Sequence, residues 1–184
     1  MNGYGTFYSR GTTGGQKGRK RSLFGGGVRT PFAVRWPGQV PAGRIDRTSV
    51  ISAVDILPTF CAIAGVPLPD GYKPDGENIL PALLGREFKR TKPILWENHV
   101  SSHGDTWPQL AVIKDNWRLA MTKDNSRVEL YDIFKDWGER EDLVTKYPEV
   151  VDELKRIALD YNKSLPPIDR FDKRLCIPAV DRHQ

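Results

Sequence analysis

From Pro93 onward, short apolar runs alternate with Asp, Asn and Ser, and this spacing predicts strands over 94–97, 110–114, 117–122 and 128–133. Asp115-Asn116 and Asp124-Asn125-Ser126 supply the turns that fold these runs into a small antiparallel sheet. The period then lengthens: Val150, Val151, Leu154, Ile157, Ala158 and Tyr161 recur at spacings of three and four behind Pro148. That is the apolar stripe of a helix laid over a sheet. After Pro166-Pro167 the sequence is charged and irregular.

The first half has a different texture. Residues 1–30 are rich in glycine and poor in apolar residues, which predicts a loop whose backbone can approach a ligand closely. Pro31-Phe-Ala-Val-Arg-Trp-Pro37 is a short apolar run between prolines and predicts a buried strand. Asp55-Ile-Leu-Pro58 and Asn78-Ile-Leu-Pro81 predict two short helices, each capped by its Asp or Asn and ended by Gly65 or Gly85. This half has too few strands for a sheet of its own, so it is expected to complete an α/β domain begun by other sequence. The expected organisation is 1–88 as the C-terminal portion of that domain, 89–165 as a sheet-plus-helix subdomain, and 166–184 as an irregular tail.

Composition narrows the possibilities only a little. With 184 residues, 39% of them hydrophobic, the chain can build a core. It contains no apolar run long enough to cross a bilayer, and its first 30 residues hold no run of signal-peptide type. Cys61 and Cys176 are too few and too far apart for a disulfide framework or a zinc site. The net charge of +5 is concentrated near the start, where Arg10, Lys17, Arg19, Lys20, Arg21 and Arg29 lie. Such a segment seeks anions, and charge alone leaves nucleic acid, a membrane surface and a small sulfated or phosphorylated ligand all open.

The run from Gly14 to Gly38, GGQKGRKRSLFGGGVRTPFAVRWPG, resembles the sulfatase family, in particular its arylsulfatase and N-acetylgalactosamine-6-sulfatase-like branch. Asp55-Ile-Leu-Pro-Thr59 resembles that family's Asp-x-x-Pro-Thr helix, Asp75-Gly76 to Gly85 its following segment, and Ala111–Leu119 with Glu129–Ile133 the strands of its C-terminal subdomain. The resemblance implies an α/β fold: the C-terminal part of an alkaline-phosphatase-like sulfatase domain, ending in a small antiparallel sheet packed by a helix. It implies sulfuric ester hydrolysis, with a sulfated carbohydrate or an aryl sulfate as substrate and the N-terminal half of the domain as partner, and neither nucleic acid nor membrane. Lys20 falls where the family lysine contacts the sulfate. Asn2 falls at the end of the family's Ser-Asp-Asn-Gly motif, whose Asp and Asn bind calcium, although Met1 stands in place of that Asp. Arg29 matches a family arginine expected to donate structurally to the loop. Gly25 stands where the family usually has Glu, which implies a looser backbone there.

The nucleophile of such enzymes is a formylglycine made within Cys-x-Pro-x-Arg, and the chain contains no such motif. Cys176-Ile-Pro-Ala-Val180 comes near it, but Val180 replaces the arginine, so Cys176 reads as a decoy. Cys61, on the inner face of a short helix, reads as a core residue. His99 and His103 read as exposed loop residues without a third ligand, and His183 belongs to the tail. Catalysis by these 184 residues alone is not expected. The competing reading is a non-catalytic module that binds polyanions through its basic glycine-rich arm, and a phosphatase-like relative is a third.

Overall fold

The computed structural model describes residues 12–98 and 107–166. Strands β1 (Ile94–Glu97), β2 (Leu110–Lys114), β3 (Trp117–Met121) and β4 (Val128–Asp132) form an antiparallel sheet in sequence order. Val112 faces Leu119, and Leu119 faces Leu130, so one register line carries three buried aliphatic side chains across the sheet. Asp115 and Asn125, at φ 53° and 63°, supply the left-handed backbone that the two turns need.

Each face of the sheet has a different cover. Helix α4 (Pro148–Ser164) lays Val151, Leu154 and Ala158 against Leu110, Val112, Leu119, Met121 and Leu130, as the periodicity predicts. Burying each of these large side chains contributes roughly 1.5–3 kcal/mol. The opposite face presents Ala111, Ile113, Arg118, Ala120 and Tyr131. It is partly covered by the glycine-rich segment, whose Phe24 packs with Ala120, Tyr131 and Trp107.

Further elements of the first half are short: α1 (Gly25–Val28), α2 (Ile56–Ala64) and α3 (Leu80–Leu83). Gly65 and Gly85 end their helices at φ 66° and 80°, as expected. The strand predicted over 31–37 is absent: these residues are irregular, with Phe32 50% and Val34 38% exposed. An apolar run becomes a strand only when a neighbouring strand satisfies its amides, and no described residue does so here.

Asp55 also departs from expectation. It does not cap α2. Its carboxylate accepts from the backbone N–H of Ser52 at 2.7 Å and of Glu77 at 2.8 Å, and it pairs with the Arg90 guanidinium. Thr59 Oγ1 donates to the Asp55 carbonyl and accepts from Ile79 N–H. Asp55 and Thr59 therefore join α2 to the segment before α3. Asn78, by contrast, accepts from Leu80 N–H at 3.0 Å, as a residue opening a helix should. Among the described residues, no helix is long and apolar enough to cross a membrane.

Candidate functional site

The glycine-rich segment closes on itself before it meets the sheet. Ser22 N–H bonds to the Arg19 carbonyl at 2.9 Å, making a turn with Lys20 second and Arg21 third, and Arg21 takes φ 77°. The chain then doubles back, and Gly26 N–H reaches the Lys17 carbonyl at 2.7 Å. Carbonyl groups crowd the inside of this loop. A Cβ on Gly27 would lie 2.0 Å from the Ser22 oxygen, and one on Gly26 would lie 2.5 Å from the Gly18 oxygen. Only glycine fits at either place.

Lys20 lies at the exposed tip of this loop and has no hydrogen bond or ion pair with any described residue. Lys17, three residues earlier, has the opposite fate. Its ammonium donates to Glu129 Oε2 and to the Tyr131 hydroxyl oxygen, both at 2.6 Å, and lies 4.3 Å from the Phe24 ring centroid. The Tyr131 hydroxyl in turn donates to Glu129. Burial and then the Glu129 carboxylate push the Tyr131 phenol up, which keeps it protonated as a donor. Burial alone would raise the Glu129 carboxyl, but hydrogen bonds from Lys17, Tyr131 and Arg127 hold it below the usual carboxylate range.

Three more contacts fix the loop. Arg118 Nη1 donates to the Leu23 carbonyl at 2.6 Å, Gly25 N–H donates to Glu139 Oε2 at 2.9 Å, and Asn98 Nδ2 donates to the Arg21 carbonyl at 3.0 Å. Arg118 and Glu139 are both buried and approach each other to 2.8 Å. Burial pushes the Arg118 guanidinium down to about 10, with Glu139 acting in the other direction, so it is charged at neutral pH. Gly25 is accordingly not looser than its neighbours, since its amide is held and a Cβ there would lie 3.3 Å from Glu139 Oε1. Arg29 does not serve the loop with its side chain. Its guanidinium stacks 4.2 Å from the Trp137 ring centroid and donates to the Trp137 carbonyl at 3.5 Å, while its backbone N–H closes α1 on Gly25.

Of the remaining candidates, Cys61 is the one among the described residues. Asn2, Cys176, His99, His103 and His183 lie outside the described residues. Cys61 is a free thiol, half-buried on α2 rather than in a core. Calcium needs several oxygen ligands, and among the described residues no group of three or more His, Cys, Asp or Glu could hold a metal ion. The described part therefore does not fit a calcium site. Lys17, Arg118 and Glu139 were not singled out from the sequence. The partners that define them lie about a hundred residues away in the chain, and no local pattern marks such pairs.

A small antiparallel sheet covered by a C-terminal helix accords with the C-terminal part of sulfatases of known structure. The family described as N-sulphoglucosamine sulphohydrolase, C-terminal, matches residues 17–163, and the chain belongs to this family of sulfatases, which are sulfuric ester hydrolases. An N-acetylgalactosamine-6-O-sulfatase of Bacteroides thetaiotaomicron is 28% identical over 155 residues, covering 77% of this chain and 29% of that protein. An uncharacterized sulfatase of Schizosaccharomyces pombe is 30% identical over 172 residues, covering 86% and 29%. Among solved structures, one concerned with the metabolism of multiple glycosaminoglycans by Bacteroides thetaiotaomicron aligns with a TM-score of 0.67 at 28% identity, over 83% of this chain and 32% of that one. The chain thus spans about a third of the length of the relatives it matches.

Proposed function

We propose that these 184 residues serve as the C-terminal part of a sulfuric ester hydrolase, in which Lys20 contacts the sulfate group of a sulfated carbohydrate or an aryl sulfate. One observation carries this reading. Of two lysines three residues apart on a tightly closed loop, Lys17 is neutralised by Glu129 while Lys20 is held out at the tip with no described partner. A cation on a fixed backbone, unpaired among the described residues, is disposed toward an external anion. As S–O cleavage moves charge onto the sulfate oxygens, a nearby ammonium stabilises that charge more than it stabilises the ground state.

The name of the first relative, an N-acetylgalactosamine-6-O-sulfatase, supports a sulfated amino sugar within this substrate class. A second structural neighbour supports a carbohydrate in the same way: it holds a neocarrahexaose, with a TM-score of 0.57 at 25% identity over 68% of this chain. The nucleophile is proposed to come from sequence other than these residues, which contain no Cys-x-Pro-x-Arg.

The gene itself offers the test. The reading holds if the genomic sequence preceding the codon for Met1 encodes Cys-x-Pro-x-Arg, and if the encoded protein cleaves sulfate esters in preference to matching phosphate esters. Unrelated upstream sequence, or a preference for phosphate esters, contradicts it.

A further inference from the structure

The buried pair Arg118 and Glu139 has no part in the chemistry assigned to Lys20, yet its geometry is unusual. Glu139 is 2% exposed and takes φ 54°, a left-handed backbone conformation that a residue with a side chain adopts only against steric resistance. One oxygen of its carboxylate is hydrogen-bonded and the other is held only as an ion pair. Oε2 accepts from Gly25 N–H at 2.9 Å, and Oε1 lies 2.8 Å from Arg118 Nε, away from the line of that N–H. Arg118, 1% exposed, sends Nη1 to the Leu23 carbonyl at 2.6 Å. The two side chains thus grip the backbone on either side of Phe24, three and five residues after Lys20.

Stability of the sheet alone does not account for this arrangement, because a buried ion pair is often replaced by apolar side chains of similar volume without loss. Such side chains could not hold one carbonyl and one amide of a loop at hydrogen-bond distance. Gly25 belongs to the same device, since it leaves room for the carboxylate where a Cβ would press on Oε1 at 3.3 Å. Backbone strain kept at a buried residue whose side chain holds a loop points to a task for that side chain.

We infer that Arg118 and Glu139 are positioning residues that set the backbone of the glycine loop and, through it, the direction in which Lys20 is presented. The inference rests on the sulfate reading of Lys20. The C-terminal sheet is then part of the active-site machinery: it clamps the loop without touching the substrate.

The test uses the protein encoded by the whole gene, labelled selectively with nitrogen-15, and compares amide hydrogen exchange at Gly25, Gly26 and Gly27 with exchange at Leu119 and Ala120 in β3. In Glu139→Gly, which removes the carboxylate and suits the left-handed backbone, loop exchange is expected to rise about tenfold or more while β3 keeps its protection. Glu139→Gln, which retains an acceptor for Gly25 but not the charge, falls between Glu139→Gly and the parent. Sodium sulfate, compared with sodium chloride at matched ionic strength, shifts the Lys20 amide in the parent and progressively less along the same series. Should Glu139→Gly also loosen β3, the apolar double variant Arg118→Met with Glu139→Leu decides the matter: loop exchange rises there with β3 intact. Loop exchange within about twofold of the parent in whichever variant keeps β3 protected overturns the inference. A parent with no sulfate-specific shift at Lys20 overturns the sulfate reading instead, and the exchange series still decides whether the pair sets the loop.

Discussion

At the scale of single residues, the basic run near the start of the chain separates into different roles. Lys17 is a strut, Arg29 stacks on Trp137, and Lys20 is presented outward. Replacing Lys17 with Met removes the closest cation of the half-buried Glu129, which keeps its hydrogen bonds from Tyr131 and Arg127, and a loss of about 1 kcal/mol is expected. A drop in the urea midpoint of the loop contacts measures it. The Glu129 carboxyl is lowered on folding, so its contribution is complete above the ordinary carboxyl value of 4.5 and is lost as pH falls through its lower folded value. Glu129→Gln is therefore expected to flatten that part of the acid limb of a stability profile; an unchanged limb would deny the pairing. Gly27→Ala meets the Ser22 carbonyl, and a methyl forced against backbone costs more than about 1 kcal/mol. Thermal unfolding of that variant checks it.

At the scale of elements, α4 and the sheet carry the stability of the second half. Leu154→Ala opens a cavity between the helix and Val112, Leu119 and Leu130, and a loss of about 2–5 kcal/mol is expected in denaturant unfolding. These elements were legible in the sequence because each strand is short, each turn is marked by Asp or Asn, and the stripe from Val150 to Tyr161 repeats every three or four residues. The periodicity is local and the packing obeys it. Legibility failed where the deciding partner is remote. Asp55 reads as a helix cap next to Pro58, but Arg90 and the Glu77 amide claim its carboxylate. Pro31 to Pro37 reads as a buried strand, yet no described strand pairs with it. Gly25 reads as slack until Glu139, far along the chain, takes hold of its amide. The glycines predict a loop there, but neither its closure on itself nor the means of its attachment to the sheet.

At the scale of the whole molecule, the two halves differ in how well they are covered. The sheet has α4 on one face and the glycine loop on the other, whereas α2 leaves Leu57, Phe60 and Ile63 on the surface at 47%, 60% and 37% exposure. Phe60→Ser with Ile63→Ser is expected to reduce self-association in light scattering while changing the unfolding free energy by no more than about 0.5 kcal/mol. A larger loss of stability would show that these side chains are packed within the chain. The exposed face accords with a chain that spans about a third of the length of its sulfatase relatives. It also places the most telling experiment in the protein encoded by the whole gene. Lys20→Ala, assayed there on a sulfate ester, should lower kcat/KM by about 10²–10³-fold, the loss typical of removing one donor to a developing negative charge. The fold should be intact and the matched Arg19→Ala close to the parent. Activity of Lys20→Ala within about twofold of the parent would contradict the assignment of the sulfate contact to this loop.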